Sequence, residues 1–475
     1  MICKVLSRRI FKRLRRQRSY FDVLPVELQT LILELCLPSE RPELHLPCGV
    51  NSRMRSLSLV CRRWREILLG TCRFWSTLDI CINESDDFCA QHPEVILKRL
   101  QWWLSQSKGE PLCVRFLYQR CCSSPDVRIR QVEDLGLQVV ALLRMHTGRW
   151  EEMIYHCPGI FLSTSWKSDD HGLPAPSPLR VLELYTWDLE SVSPHHTHNF
   201  TIQSFLLPYS RLTYLHISWF GNRLLSLETC RAILSKCPEM RWCMLDIVHC
   251  EYGFDVWHLP QPDCHLEYLS IEVRSVDPVS RFESREERSP VQVLSLFLDA
   301  FDWERLIDLR IIWPQSSSRH MNSCDDARWL SRPLSRCTGL QSLTLVHLPL
   351  TSADLCACVK ALIRLRSLKL YYWYDDERLS PINCDLFSTL RGDGHDSYLP
   401  LLHTVHTISP KKCFDDCDIK EYVEQRMEAH GGYFEVQFIL VGWEGPFGCL
   451  WPEWQRKICS AYPDLSLEVR TKCPY

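Results

Sequence analysis

The sequence predicts an α/β protein in which a small helical segment leads into an array of helix–turn–strand units, with parallel strands lining a concave face and helices outside. Three observations predict it. A six-residue apolar pattern, L-x-x-L-x-L with similar residues substituting, recurs seven times between Leu179 and Leu370. Two stretches near the start, Leu28 to Leu35 and Leu57 to Leu68, carry apolar residues at helical spacing. The chain has 475 residues, whereas a single core stops growing near roughly 250 to 300, so several domains or an array growing in one dimension are required.

Met1 to Arg18 holds eight Lys or Arg and no acid. Ile2, Leu6, Ile10 and Leu14 stand four apart, so a helix here would be amphipathic and basic. A solvated arm, a nuclear-localisation patch, a membrane-surface helix and an Arg-rich mitochondrial presequence all fit this arm, residues 1–20.

From Phe21 the composition changes. Leu24-Pro25-Val26-Glu27-Leu28 opens a helix with apolar residues at Leu28, Leu31, Ile32 and Leu35, ending before Pro38. Pro38 to Pro47 reads as loop. Leu57, Leu59, Val60, Cys61, Trp64, Ile67 and Leu68 form a second helical stripe, and Phe74 to Ile80 reads as a strand. Residues 21–80 are therefore a small domain with too little core of its own, expected to bury its surplus apolar face on a partner helix.

The hexads begin at Leu179, Leu212, Met240, Leu266, Leu306, Leu340 and Leu365, 25 to 40 residues apart. Several follow a helix end with polar, cysteine or proline punctuation, as in Ser235-Lys236-Cys237-Pro238 and Ser335-Arg336-Cys337-Thr338. Pattern and period resemble leucine-rich repeats, stretched by loops, so residues 81–410 are expected to form an irregular leucine-rich-repeat-like solenoid. Weaker units appear earlier: a helix at Val95 to Leu104 before a strand at Leu112 to Leu117, and a helix at Val132 to Met145 before a strand at Trp150 to Tyr155. Polar or Pro-rich insertions at Ser163 to Pro178, Ser275 to Ser289 and Gln315 to Asp326 fit loops. A helix at Ile419 to His430 and a strand at Phe434 to Val441 are expected to cap the array over residues 411–475.

A net charge of -3 gives no global reason to expect nucleic acid or an anionic membrane as partner. The 26 cysteines are scattered and alternate with apolar positions, as in Leu355-Cys356-Ala357-Cys358-Val359, which is how buried reduced thiols behave. Without a recognisable secretory signal or an apolar run long enough to span a membrane, a soluble cytoplasmic or nuclear protein is expected. No phosphate loop, nucleophile turn or zinc-protease motif occurs. His195, His196 and His198 fall in a Pro- and Ser-containing loop, and His403, His406, Cys413 and Cys417 lack a recognised zinc spacing. No cysteine stands beside a paired histidine in an electropositive turn. The expectation is a protein that is not an enzyme and holds no metal or cofactor.

The segments L-P-x-E-L-x-x-x-I-x-x-x-C from Leu24, L-x-L-V-C-R-R-W-R from Leu57 and F-W-S-T-L from Phe74 resemble an F-box. The resemblance runs from Val23 to Ile80 and departs from the shortest versions by a loop around Glu40 to Ser52, an insertion found in fungal F-box proteins, which this chain resembles. It implies that Leu24, Pro25, Leu28, Ile32, Val60, Cys61 and Trp64 bind a Skp-type adaptor and, through it, a cullin scaffold. Ubiquitin transfer would then belong to a RING subunit and a conjugating enzyme, and this chain would be the substrate-recognition subunit. An F-box-like scaffold acting outside ubiquitin transfer fits the same motif, and so does a membrane- or nucleic-acid-binding repeat protein led by the basic arm.

In L-x-x-L-x-L the first, fourth and sixth places point inward, and period two along the strand sends the third, fifth, seventh and ninth outward. That rule places Tyr185, Trp187, Tyr214, Phe220, Trp242, Tyr268, Tyr371 and Trp373 on one face. Contiguous exposed aromatic residues mark protein interfaces, so these are the expected target-binding residues.

Overall fold

The computed structural model describes residues 20–36, 52–120, 126–159, 161, 178–187, 209–220, 227–247, 265–273, 290–301, 303–313, 330–372, 380–391, 399–410, 416–430, 432–441 and 450–472. The basic arm, the loop at Pro38 to Pro47, the His195 to His198 cluster, Cys413, Trp373 and nearly all of the three long insertions lie outside these residues. The chain falls into two compact units, residues 1–200 and 201–475.

The hexad sets the strands directly. Strands β4 (Val181–Trp187), β5 (Tyr214–Phe220), β6 (Trp242–Ile247), β7 (Tyr268–Val273), β8 (Asp308–Ile312), β9 (Ser342–Val346) and β10 (Ser367–Tyr371) each begin at the third place of a hexad. Every first, fourth and sixth side chain of the seven hexads is at most 3% exposed. The alternation of a pleated strand accounts for the last two, and the leucine two residues ahead of the strand closes the layer beneath the turn.

Among the described residues of 1–200, four α-helices come first: α1 (Tyr20–Val23), α2 (Val26–Cys36), α3 (Ser52–Val60) and α4 (Arg62–Gly70). Then β1 (Thr77–Asn83), α5 (Asp87–Gln91), α6 (Pro93–Gln106), β2 (Leu112–Gln119), α7 (Asp126–Arg144) and β3 (Trp150–Pro158) lead to β4. The four strands pair in chain order, all parallel. Phe74 and Trp75, expected in the strand, instead lie in a 3-10 turn over Cys72–Trp75. The Trp75 indole donates to the Leu68 carbonyl at 2.8 Å and its ring packs edge-on against Trp102 and Trp103 of α6, with Phe74 and Trp75 both buried. Trp75, Leu78 and Ile80 occupy the places of a hexad, because Thr77 aligns through β2 and β3 with Val181. Thus the closing segment of the motif region is already the first repeat strand.

Among the described residues of 201–475, nine parallel strands, β5 to β13, also pair in chain order and leave the sheet open. The helices are α8 (Leu227–Leu234), α9 (Pro290–Asp299), α10 (Ser331–Ser335), α11 (Ser352–Ala361), α12 (Cys384–Arg391), α13 (Asp416–His430) and α14 (Leu450–Ala461). From α8 to α13 each packs on the next. Residues 411–475 were expected as a cap. They add two further helix–strand units, with β12 (Phe434–Val441) and β13 (Leu465–Lys472) in register with β11 (Thr404–Pro410). No helix among the described residues is long and apolar enough to cross a membrane.

Strand β11 was not expected at all. Its inward places are Val405, Thr407 and Ser409, each at most 1% exposed, so the hexad Leu402 to Thr407 is present with a hydroxyl in the sixth place. Among the described residues the buried Thr407 hydroxyl has no hydrogen-bond partner. Thr407→Val is therefore expected to raise stability by about 1 kcal/mol, read as a higher denaturant midpoint at unchanged slope. An unchanged or lower midpoint would mean the hydroxyl is satisfied.

Arginines tie successive units together. Arg149, just before β3, donates to Ser107 Oγ at 2.7 Å and to the Glu110 carbonyl at 2.8 Å, behind the end of α6. Arg336 donates to the Asp299 carbonyl at 2.8 Å, at the end of α9. Buried Arg426 donates to the carbonyls of Leu399 and Leu402, the latter at 2.8 Å. Each satisfies carbonyls that a helix end or turn would otherwise leave unpaired. Gly339 serves the same junction by size, since a Cβ there would meet the Glu304 carbonyl oxygen at 2.6 Å.

Candidate functional site

Around α2 and α4 one buried polar side chain organises the segment. Gln29, fully buried, donates from Nε2 to the carbonyls of Phe21 and Leu24 at 2.9 and 2.7 Å, and its Oε1 accepts from Arg63 Nε at 3.2 Å. It thereby fastens the Leu24–Pro25 corner to α4. Sequence reasoning passed over it, because a lone glutamine between apolar positions reads as a solvated helix residue. Leu33, Ile67 and Leu68 complete the small core.

The remaining apolar side chains are left outside. Among the described residues, eight of the sixteen exposed large hydrophobic side chains fall between Val23 and Leu69, including Leu28 at 46%, Leu31 at 49%, Leu35 at 78% and Val60 at 59%. Of the expected adaptor-binding residues, Pro25, Leu28, Val60 and Cys61 are exposed and Leu24, Ile32 and Trp64 half-buried. Trp64 is shared between surface and core, its ring 5.1 Å from that of Phe21. Cys61 caps α4, its sulfur accepting from the Trp64 amide at 3.4 Å. That segment cannot close a core around its own helices and presents the surplus to solvent.

The second surface is the outward row of strand residues. In residues 201–475 the register aligns Tyr214 with Trp242 and Trp242 with Tyr268. Trp242 and Tyr268 stack, ring centroids 4.7 Å apart and planes 20° apart, while Trp242 stays 46% exposed. The Tyr214 hydroxyl lies 3.9 Å from Met244 Sδ. Tyr371 is half-buried on β10, and burial raises its phenol while nearby Arg310 opposes the shift. In residues 1–200 Tyr185 packs on His156, ring centroids 4.1 Å apart, and Trp187 is half-buried at the end of β4 with its indole nitrogen buried. Phe220 closes β5, but its side chain lies outside what the structure describes.

Two cations belong to the same face. Arg310 and Lys369 occupy the fifth hexad places of β8 and β10, with Thr344 of β9 aligned between them. The alternation rule applied to the Leu306 and Leu340 hexads would have found Arg310 and Thr344. Asp308, at the third place of β8, is near both cations, bonds Ser342, and has its carboxyl raised by burial.

His403 lies 3.1 Å from the Thr404 hydroxyl and His406 3.2 Å from Glu435, while Cys417 is exposed on α13. Among the described residues no three His, Cys, Asp or Glu are placed to hold a metal ion. Burial pushes the Cys337 thiol up to about 12 and raises those of Cys157 and Cys358 further, keeping them protonated. No protein-family model and no curated protein matches the chain.

Proposed function

We propose that this chain is the substrate-recognition subunit of a Skp–cullin–F-box type ubiquitin ligase, working in the cytoplasm or nucleus. The observation that supports this reading best is the apolar surface left open on α2, α3 and α4, at the positions the F-box resemblance assigns to a Skp-type adaptor. Leu28 and Val60 are the anchors in this account, and Gln29 is the positioning residue that fastens α2 to α4, the helix that follows Val60. The strand face holds the target, and the chain's contribution to transfer is proximity, which raises the effective concentration of target and donor on one scaffold.

Co-expression of the full chain with a Skp-type adaptor and a cullin tests this. The expected result is a stable ternary complex on size exclusion, lost when residues 20–70 are deleted. Adaptor binding without the cullin would favour a scaffold outside ubiquitin transfer, and failure to bind the adaptor would remove the assignment.

A further inference from the structure

We propose that the strand face of residues 201–475 binds an acidic segment of the target protein, with its carboxylate over Arg310 and Lys369 and an apolar side chain on the Trp242–Tyr268 stack. This rests on the reading of that face as the target surface and is independent of adaptor docking.

The argument begins with register. Arg310 aligns with Thr344 and Thr344 with Lys369, so the two cations share one row two strands apart, about 10 Å. Arg310 is exposed and Lys369 half-buried, and among the described residues neither side chain forms an ion pair or a hydrogen bond. Between them stands Thr344, a short residue, so no long side chain of β9 separates the two cations. Asp308 is within electrostatic reach of both cations and already bonds Ser342, and one carboxylate shared between two cations leaves them a positive surplus. A surplus of cations with long side chains on a partly desolvated sheet selects carboxylates, and Arg favours their two-oxygen geometry.

The aromatic stack fixes the second feature of the ligand. Trp242 and Tyr268 lie on β6 and β7, adjacent to β8, and Trp242 remains half exposed. A segment crossing the strands would reach from the stack to the middle of the cation row over about 12 Å, which an extended chain covers in about three or four residues. Its direction follows from where the charges stand: Arg310 and Lys369 lie on β8 and β10, whereas β6 and β7 carry the acids Asp246 and Glu272, four places further along than the stacked pair. The recognised element is thus an apolar residue followed or preceded, three or four positions away, by Asp or Glu.

Selection of a random dodecapeptide display library on the purified full chain, without adaptor, tests this, with affinities then measured by fluorescence anisotropy. Enriched peptides should share the apolar–acidic spacing. R310E combined with K369E should weaken them by about ten-fold or more, W242A should weaken them too, and added salt should weaken them progressively. If the charge reversal lowers the melting temperature, R310Q with K369Q serves in its place. Absence of enrichment, a neutral or basic consensus, or affinity unchanged in these variants would overturn the proposal. So would equal affinity for oligo-dT of similar length, which would assign the cations to a phosphate backbone.

Discussion

Replacing Leu28 and Val60 together by aspartate is expected to weaken capture of a Skp-type adaptor by about a hundred-fold or more, with no change in the chain's thermal transition. Both side chains are about half exposed, at 46% and 59%, so neither holds the helical segment together. Burying each on a partner would contribute roughly 1 to 3 kcal/mol, and a carboxylate in the same place brings a desolvation cost of similar size. The sum exceeds the roughly 2.7 kcal/mol of a hundred-fold change in affinity. Gln29→Ala should act through another route. It removes the side-chain bonds to the Phe21 and Leu24 carbonyls and to the Arg63 guanidinium, so adaptor affinity and the melting of this segment should fall together. Calorimetric titration of purified adaptor into each variant separates the cases. Undiminished binding by the double aspartate variant would remove α2–α4 as the docking surface.

Leu343→Ala is expected to destabilise residues 201–475 by about 3 to 5 kcal/mol, the range for emptying a fully buried leucine site that cannot collapse. Leu343 is fully buried at the fourth hexad place of β9, between Leu309 of β8 and Leu368 of β10, themselves buried. In a stacked array the loss falls on two interfaces at once, because each unit is stabilised by both neighbours. Ser367→Ala, on the outward row of the next strand, should stay within about 0.5 kcal/mol. Urea unfolding of both variants gives the comparison, and a cost under about 1.5 kcal/mol for Leu343→Ala would show that this layer is loosely packed.

The two surfaces were legible to different degrees. On the helical segment the motif named residues of which none is buried, yet it could not show that Cys61 caps a helix or that Trp64 is shared with the core. On the strand face the hexad placed Trp242 and Tyr268 on one row, while their stacking required the register. The line between the motif region and the array was also softer than its residues suggest, since Trp75, Leu78 and Ile80 belong to both.

By itself the sequence determined where strands begin, which side chains turn inward and that the units repeat, because alternation along a strand is local and shows as apolar periodicity. It failed at β11, where Thr407 and Ser409 occupy inward places and erase that periodicity without erasing the strand. Tertiary structure alone decided which outward residues become neighbours. Arg310 and Lys369 are far apart in the chain and share a row only because each strand hydrogen-bonds in register to the next. Lateral neighbours depend on pairing across the sheet, which leaves no local pattern for a sequence to display.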